Sequence, residues 1–124
     1  MNTFLIADDT PQKVRLFLSL LKRAEWQGEI LTTDTVEGAK ELIDRHPIAA
    51  AFIDYYIPMT NGPSIIRYLK QKHPAARVAL VSSADNSSNA AEALAAGAEI
   101  VECTSDDPEK VEQRLLALIR EWQQ

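Results

Sequence analysis

Three aspartates and a pair of hydroxyls stand where short apolar runs stop. Asp8-Asp9 follows the run 3–7, Asp54 follows Ile48–Ile53, and Ser82-Ser83 follows the run 78–81. In an open α/β sheet, ligands bind beyond the carboxyl ends of the strands, near the point where strand order reverses. In the order 2-1-3-4-5, the first and third strands are neighbours, so Asp8, Asp9 and Asp54 converge. Two like charges ~4 Å apart cost about 4 kcal/mol at an effective dielectric of about 20, so such a cluster needs a cation or a proton. Hard oxygen ligands with room for water suit Mg²⁺, which takes one or two carboxylates and completes its shell with phosphate oxygens and water. A remaining carboxylate can attack phosphorus as a nucleophile, and a serine hydroxyl at the end of the fourth strand can donate to a phosphoryl oxygen. One aspartate behind one strand is as readily a helix cap or turn former. Three acids and a hydroxyl at the ends of one sheet form a more specific pattern.

The elements that must position these residues alternate between apolar runs and amphipathic stretches. Thr3-Phe4-Leu5-Ile6-Ala7 reads as a buried strand. Thr10-Pro11 reads as an N-cap with proline at the first helical position, and Val14, Phe17, Leu18, Leu21 and Ala24 recur at helical spacing. That helix is expected to run to about Trp26, with Gly28 as its stop. Residues 30–33 form a weaker strand, and Asp34-Thr35-Val36-Glu37 opens a second helix that His46-Pro47 closes. Ile48–Ile53 is apolar at every position, which suits a central strand covered on both faces. A loop with turn signals at Pro58 and Asn61-Gly62 leads to a helix from Pro63 with Ile65, Ile66 and Leu69 inward. A strand over 78–81, an alanine-rich helix over 88–96 stopped by Gly97, a short strand at Ile100-Val101 and a helix from Asp107-Pro108 complete the chain. Five strand–helix units predict a flavodoxin-like, doubly wound α/β fold with a parallel sheet and helices on both faces.

Composition removes several classes of function. With 124 residues, 46% hydrophobic and 25% charged, the chain has the usage of one ordinary globular domain. A single cysteine, Cys103, forbids an intramolecular disulfide and points to a reducing, cytoplasmic compartment. No apolar run approaches the ~20 residues of a membrane span, and no signal peptide is visible. A net charge of −5 argues against nucleic acid as a partner, since phosphate contacts need clustered Lys and Arg.

The segment Asp54-Tyr55-Tyr56-Ile57-Pro58-Met59-Thr60-Asn61-Gly62 carries a family likeness. The chain resembles the receiver domain of response regulators, the phosphoacceptor module of two-component signalling, over essentially its whole length. In that family a phosphoacceptor aspartate is followed by proline four residues on and glycine eight residues on, as Pro58 and Gly62 follow Asp54. Asp8 and Asp9 match the acidic pair, and Ser82 matches the Thr/Ser that ends the fourth strand. The resemblance implies that Asp54 accepts a phosphoryl group from a histidine kinase or phosphotransfer protein. It implies a Mg²⁺ site made by Asp8, Asp9, Asp54 and the backbone carbonyl of Tyr56, with Asp9 binding directly and Asp8 largely through water. It also implies that Ser82 bonds the phosphoryl oxygen and moves on activation. A downstream protein would dock on the face of the fourth helix, fifth strand and fifth helix. Residues 1–124 are expected to be a single receiver domain without an output domain.

The chain departs from the family after its fifth strand. The expected lysine position falls on Thr104, or on Cys103 with one deletion, and no lysine lies between Gly97 and Lys110. A hydrogen bond to a charged group is worth about 1.5–3 kcal/mol, so its loss is expected to weaken activation or slow phosphotransfer. The switch aromatic of that strand is replaced by Val101. These gaps favour an alternative, a phosphate-independent pseudo-receiver that acts as a protein-interaction module. The retained acids, Ser82 and Pro58 favour the phosphorylated receiver, which is preferred. A phosphatase of aspartyl-phosphate type is disfavoured because Tyr56 stands where a general-acid aspartate is needed, so no enzyme activity beyond self-phosphorylation and self-dephosphorylation is expected. A flavodoxin-like cofactor binder is disfavoured because no Gly- or Ser/Thr-rich phosphate loop follows the first strand, and Asp8-Asp9-Thr10-Pro11 would repel a phosphate.

Other residues have plainer readings. His46 and His73 precede prolines and read as helix-end residues. Cys103 reads as a small half-buried residue and Trp122 as the edge of the core. Tyr56 is bulky enough to slow water attack on a phosphoaspartate, or is simply a surface tyrosine.

Overall fold

The computed structural model describes residues 2–57, 60–83, 87–105 and 107–123. Pro58, part of the segment that carries the family likeness, lies outside the described residues. The elements in chain order are β1 (Thr3–Ala7), α1 (Pro11–Arg23), β2 (Ile30–Thr33), α2 (Val36–Arg45), β3 (Ile48–Ile53), β4 (Tyr56–Ile57), β5 (Thr60–Asn61), α3 (Gly62–Lys72), β6 (Arg77–Ser82), α4 (Ser87–Ala96), β7 (Ile100–Cys103) and α5 (Pro108–Trp122). The main sheet is parallel, in the order β2-β1-β3-β6-β7. This is the expected 2-1-3-4-5 arrangement once the two-residue ribbon β4–β5 is set aside. That ribbon occupies the stretch expected to be an irregular loop, and Tyr56 pairs with Asn61 in it.

Alternation along the strands builds two cores, because successive side chains point to opposite faces. Phe4, Ile6, Ala50, Phe52, Ala79 and Val81 face one side, against Phe17, Leu20 and Leu21 of α1 and Leu115, Ile119 and Trp122 of α5. Leu5, Ala7, Ala51, Ile53, Val78 and Leu80 face the other, against Ile43 of α2, Ile65, Ile66 and Leu69 of α3, and Ala93 of α4. The first core is aromatic. Phe52 meets Phe4 and Phe17 edge-on at centroid distances of 4.9 and 5.1 Å, and lies 5.8 Å from Trp122.

Three local expectations are corrected. Helix α1 ends at Arg23, not near Trp26. Glu25 adopts the left-handed conformation (φ 56°), with Trp26 N–H donating to Leu21 and Glu25 N–H to Lys22. This is a Schellman ending with Glu in the usual glycine place. It turns Trp26 onto Phe4, where its indole N–H donates to Asn2 at 2.8 Å. Thr10 sits at the N-cap of α1 but makes no side-chain cap bond; its N–H instead donates to Asp8 Oδ1 at 2.8 Å. Leu18, assigned to the inner face of α1, is exposed, and the buried face runs through Lys13, Phe17, Leu20 and Leu21.

Thr35, Asn61 and Asp107 do cap their helices, each accepting from a backbone N–H of the first turn. Gly62 is required by proximity. A Cβ there would lie 2.2 Å from the carbonyl oxygen of Asp54, so only glycine lets α3 start against the end of β3.

Candidate functional site

Asp8 and Asp54 each continue a ladder by one residue: Asp8 N–H donates to Thr33 at 3.0 Å and Asp54 N–H to Ala7 at 2.9 Å. They therefore keep the strand alternation, and their parity matches Ile6 and Phe52. Both point to the face covered by α1 and α5. Carboxylate oxygens of Asp8, Asp9 and Asp54 all lie within 4.8 Å of one another. Asp8 and Asp54 are buried, whereas Asp9 is exposed at the rim. A cleft of about 470 Å³ opens beside Asp8 and Asp9, between the end of β2 and the start of α1.

The cluster holds a residue that the sequence reading missed. Lys13, on the first turn of α1 and 6% exposed, inserts its ammonium among the acids. Its Nζ lies 2.7 Å from Asp8 Oδ2 and donates to Asp54 Oδ1 and to the Val81 carbonyl, both at 2.8 Å. Its acceptors come from the carboxyl ends of three adjacent strands. The signal was present in the sequence: Lys13 shares the helical period of Phe17, Leu20, Leu21 and Ala24, on the inward stripe. A lysine stem can lie along apolar surface while its charge reaches past it.

The contacts of the three acids differ. Asp8 Oδ1 accepts from Thr10 N–H. Asp8 Oδ2 is fully buried and forms an ion pair with the Lys13 ammonium. Asp54 Oδ1 accepts from Lys13 and, at 2.9 Å, from Tyr55 N–H. Asp54 Oδ2 accepts from no described residue. Burial pushes the Asp54 carboxyl above the usual aspartate range and Asp8 adds to this; the hydrogen bond and charge of Lys13, with Tyr55 N–H, pull the other way and do not prevail.

The remaining expected residues fall around this cluster. Ser82, 2% exposed, ends β6 one residue after the Val81 carbonyl. Thr104, at the position of the absent lysine, is turned to the same strand end: its N–H donates to the Ser82 carbonyl at 2.8 Å and its hydroxyl at 3.4 Å. Tyr56, 57% exposed, stands in β4, with its ring edge-on to Tyr55 at 4.7 Å. The Tyr55 hydroxyl donates to Glu92 of α4 at 2.8 Å. Cys103 is half-buried, with its sulfur 2.8 Å from the Ser105 hydroxyl. His46 and His73 cap the ends of α2 and α3, and Trp122 closes the aromatic core.

The donor set fits a divalent cation. All three groups are hard oxygens, and Asp8 Oδ2 is a buried acceptor without a hydrogen bond. Three carboxylates against one ammonium leave a formal charge of −2, which one divalent ion balances.

The fold agrees with comparisons to known proteins. A family model of the response regulator receiver domain matches residues 4–102. Response regulator protein PilR of Pseudomonas aeruginosa (strain PAO1) is 31% identical over 94 residues, which cover 76% of this chain and 21% of that protein. The chain thus spans about a fifth of the length of that relative. The BeF3-activated DrrB receiver domain superposes with a TM-score of 0.81 at 22% identity, covering 98% of this chain and 97% of that one. The phosphorylated cyanobacterial phytochrome response regulator RcpA gives 0.85 at 13% identity, covering 98% and 93%. The Mn(2+)-bound form of response regulator Rcp1 gives 0.84 at 13%, covering 98% and 94%. The chain belongs to the response regulator receiver domain family. Among the described residues, no helix is long and apolar enough to cross a membrane.

Proposed function

We propose that this chain is a phosphorylated receiver: Asp54 accepts a phosphoryl group from a histidine kinase or phosphotransfer protein, and the change is passed on by protein–protein contact. The observation that carries this is the asymmetry of the Asp54 carboxylate. Oδ1 is held by Lys13 and Tyr55 N–H, while Oδ2 accepts from no described residue and is the oxygen left to attack. In the transfer, Oδ2 forms the new P–O bond and the donor's bond to phosphorus breaks, its electron pair leaving with the donor. Asp8, Asp9, Asp54 and the Tyr56 carbonyl would hold Mg²⁺, which neutralises charge on the transferring group. Ser82 stands at the strand end where its hydroxyl can donate to a phosphoryl oxygen. The receiver unit takes up residues 1–124 as one domain. Its output surface is the face of α4, β7 and α5, where Leu94 is exposed.

The related structures named as BeF3-activated, phosphorylated and Mn(2+)-bound support this reading by fold. Intact mass after incubation with acetyl phosphate and Mg²⁺, beside an Asp54→Asn control, tests it. The expected result is a single phosphoryl adduct on the wild type and none on the variant. No adduct from acetyl phosphate or from a histidine kinase donor would replace this reading with a phosphate-independent interaction module.

A further inference from the structure

We infer that Lys13 is the phosphoryl-binding cation of this site, delivered from α1 in place of a lysine after β7. The inference rests on the phosphorylated-receiver reading and assigns that site its fixed positive charge. Lys13 Nζ lies within 2.8 Å of acceptors just beyond β1 and β3 and on β6, so it occupies the centre of the strand ends rather than their edge. Thr104 cannot supply the charge, and its hydroxyl is turned to the Ser82 carbonyl. Among the described residues, Lys13 is the cation paired with Asp8 and Asp54.

The electron count says what Lys13 does when Asp54 is phosphorylated. Before transfer, its ammonium pairs with the anionic Oδ1 while Oδ2 attacks. Once Oδ2 bridges carbon and phosphorus, Oδ1 becomes an ordinary carbonyl oxygen and carries no formal charge. The negative charge now sits on the phosphoryl oxygens, about −1.5 to −2 for a phosphorylated side chain near neutral pH. An ammonium on a flexible four-carbon stem follows the charge, because the phosphoryl oxygens offer it a Coulomb attraction that a neutral carbonyl oxygen does not. Lys13 therefore leaves Oδ1 for a phosphoryl oxygen. The metal and the lysine are complementary, since one divalent ion balances the charge that Lys13 leaves over.

The test uses Lys13→Met and Lys13→Gln, the latter keeping hydrogen-bond donors without charge. Two readouts are taken on each: the rate of adduct formation from acetyl phosphate, and the affinity for Mg²⁺ by calorimetric titration. Both variants are expected to acquire the phosphoryl group ten- to a hundredfold more slowly, while binding Mg²⁺ more tightly because a repelling charge has gone. Opposite signs mark a phosphoryl-binding role; collapse of the site would weaken both. A wild-type adduct matched in rate by either folded variant overturns the inference and leaves the receiver reading standing. Slower transfer with weaker Mg²⁺ binding in both variants also overturns it, in favour of a structural lysine. A wild type that never forms the adduct overturns the receiver reading and this inference with it.

Discussion

The two faces of the sheet are built differently. Under α2, α3 and α4, the core is aliphatic and rich in alanine, and its tyrosines Tyr55 and Tyr68 sit at the rim with their hydroxyls on carboxylates of Glu92 and Asp44. Under α1 and α5, the rings of Phe4, Phe17 and Trp122 pack around Phe52 with Trp26 edge-on to Phe4, and the charged cluster caps that stack at the carboxyl ends of the strands. The aromatic side therefore holds both the largest side chains and the buried charges. Parity explains the coincidence: Asp8 and Asp54 lie two residues beyond Ile6 and Phe52, so they must emerge over α1. A helix that starts directly above those acids is the natural source of a counter-charge.

The strongest way to break this contrast is Phe52→Ala. It removes the ring that Phe4, Phe17 and Trp122 share, with an expected loss of about 3–5 kcal/mol in urea denaturation, more than Leu69→Ala costs on the aliphatic face. Equal losses would mean that the aromatic stack contributes no more than its volume. Next is Lys13→Met in Mg²⁺-free buffer. Removing one partner of a buried ion pair leaves uncompensated carboxylates, at an expected cost of about 3 kcal/mol. Added Mg²⁺ should recover most of it, because a ligand bound only by the folded state stabilises that state. A loss indifferent to Mg²⁺ would place the role of Lys13 in packing.

The smallest expected effect is a pH dependence. The Asp54 carboxyl is raised above the usual 3.8, with burial as the main cause, so its ionisation opposes folding. Its contribution to stability is full below about the unfolded value and is lost as pH rises through the folded one. Thermal melts of wild type and Asp54→Asn should therefore diverge in favour of the variant as pH climbs through that window. Parallel curves would show that Lys13 offsets the burial completely.

The sheet order, the three acids and Ser82 were legible in the sequence because each rests on a local pattern: an apolar run, then its terminating polar residue. Pairing of strands far apart in the chain followed from the alternation of elements. Lys13 was not legible. A charged residue in the first turn of an amphipathic helix is ordinarily assigned to water, and the family pattern places its lysine after the last strand. The exposure of Leu18 beside the burial of Lys13 has the same cause: position on the helical stripe, not hydrophobicity, decides which side chain faces inward. The ribbon β4–β5 escaped because two residues on each side make no period, and the end of α1 escaped because a glutamate holds a conformation expected of glycine.

Because Lys13 is buried with its partners, the pocket also differs from the rest of the molecule in its response to electrolyte. The Debye length is about 10 Å at 0.1 M salt, so pairs in open water, such as Arg45 with Glu41 and Lys72 with Asp44, fade as ionic strength rises. The buried triad is poorly screened. An osmotic swing would slow the encounter of this acidic chain with an oppositely charged donor protein, yet leave the internal balance of the acceptor site as it was.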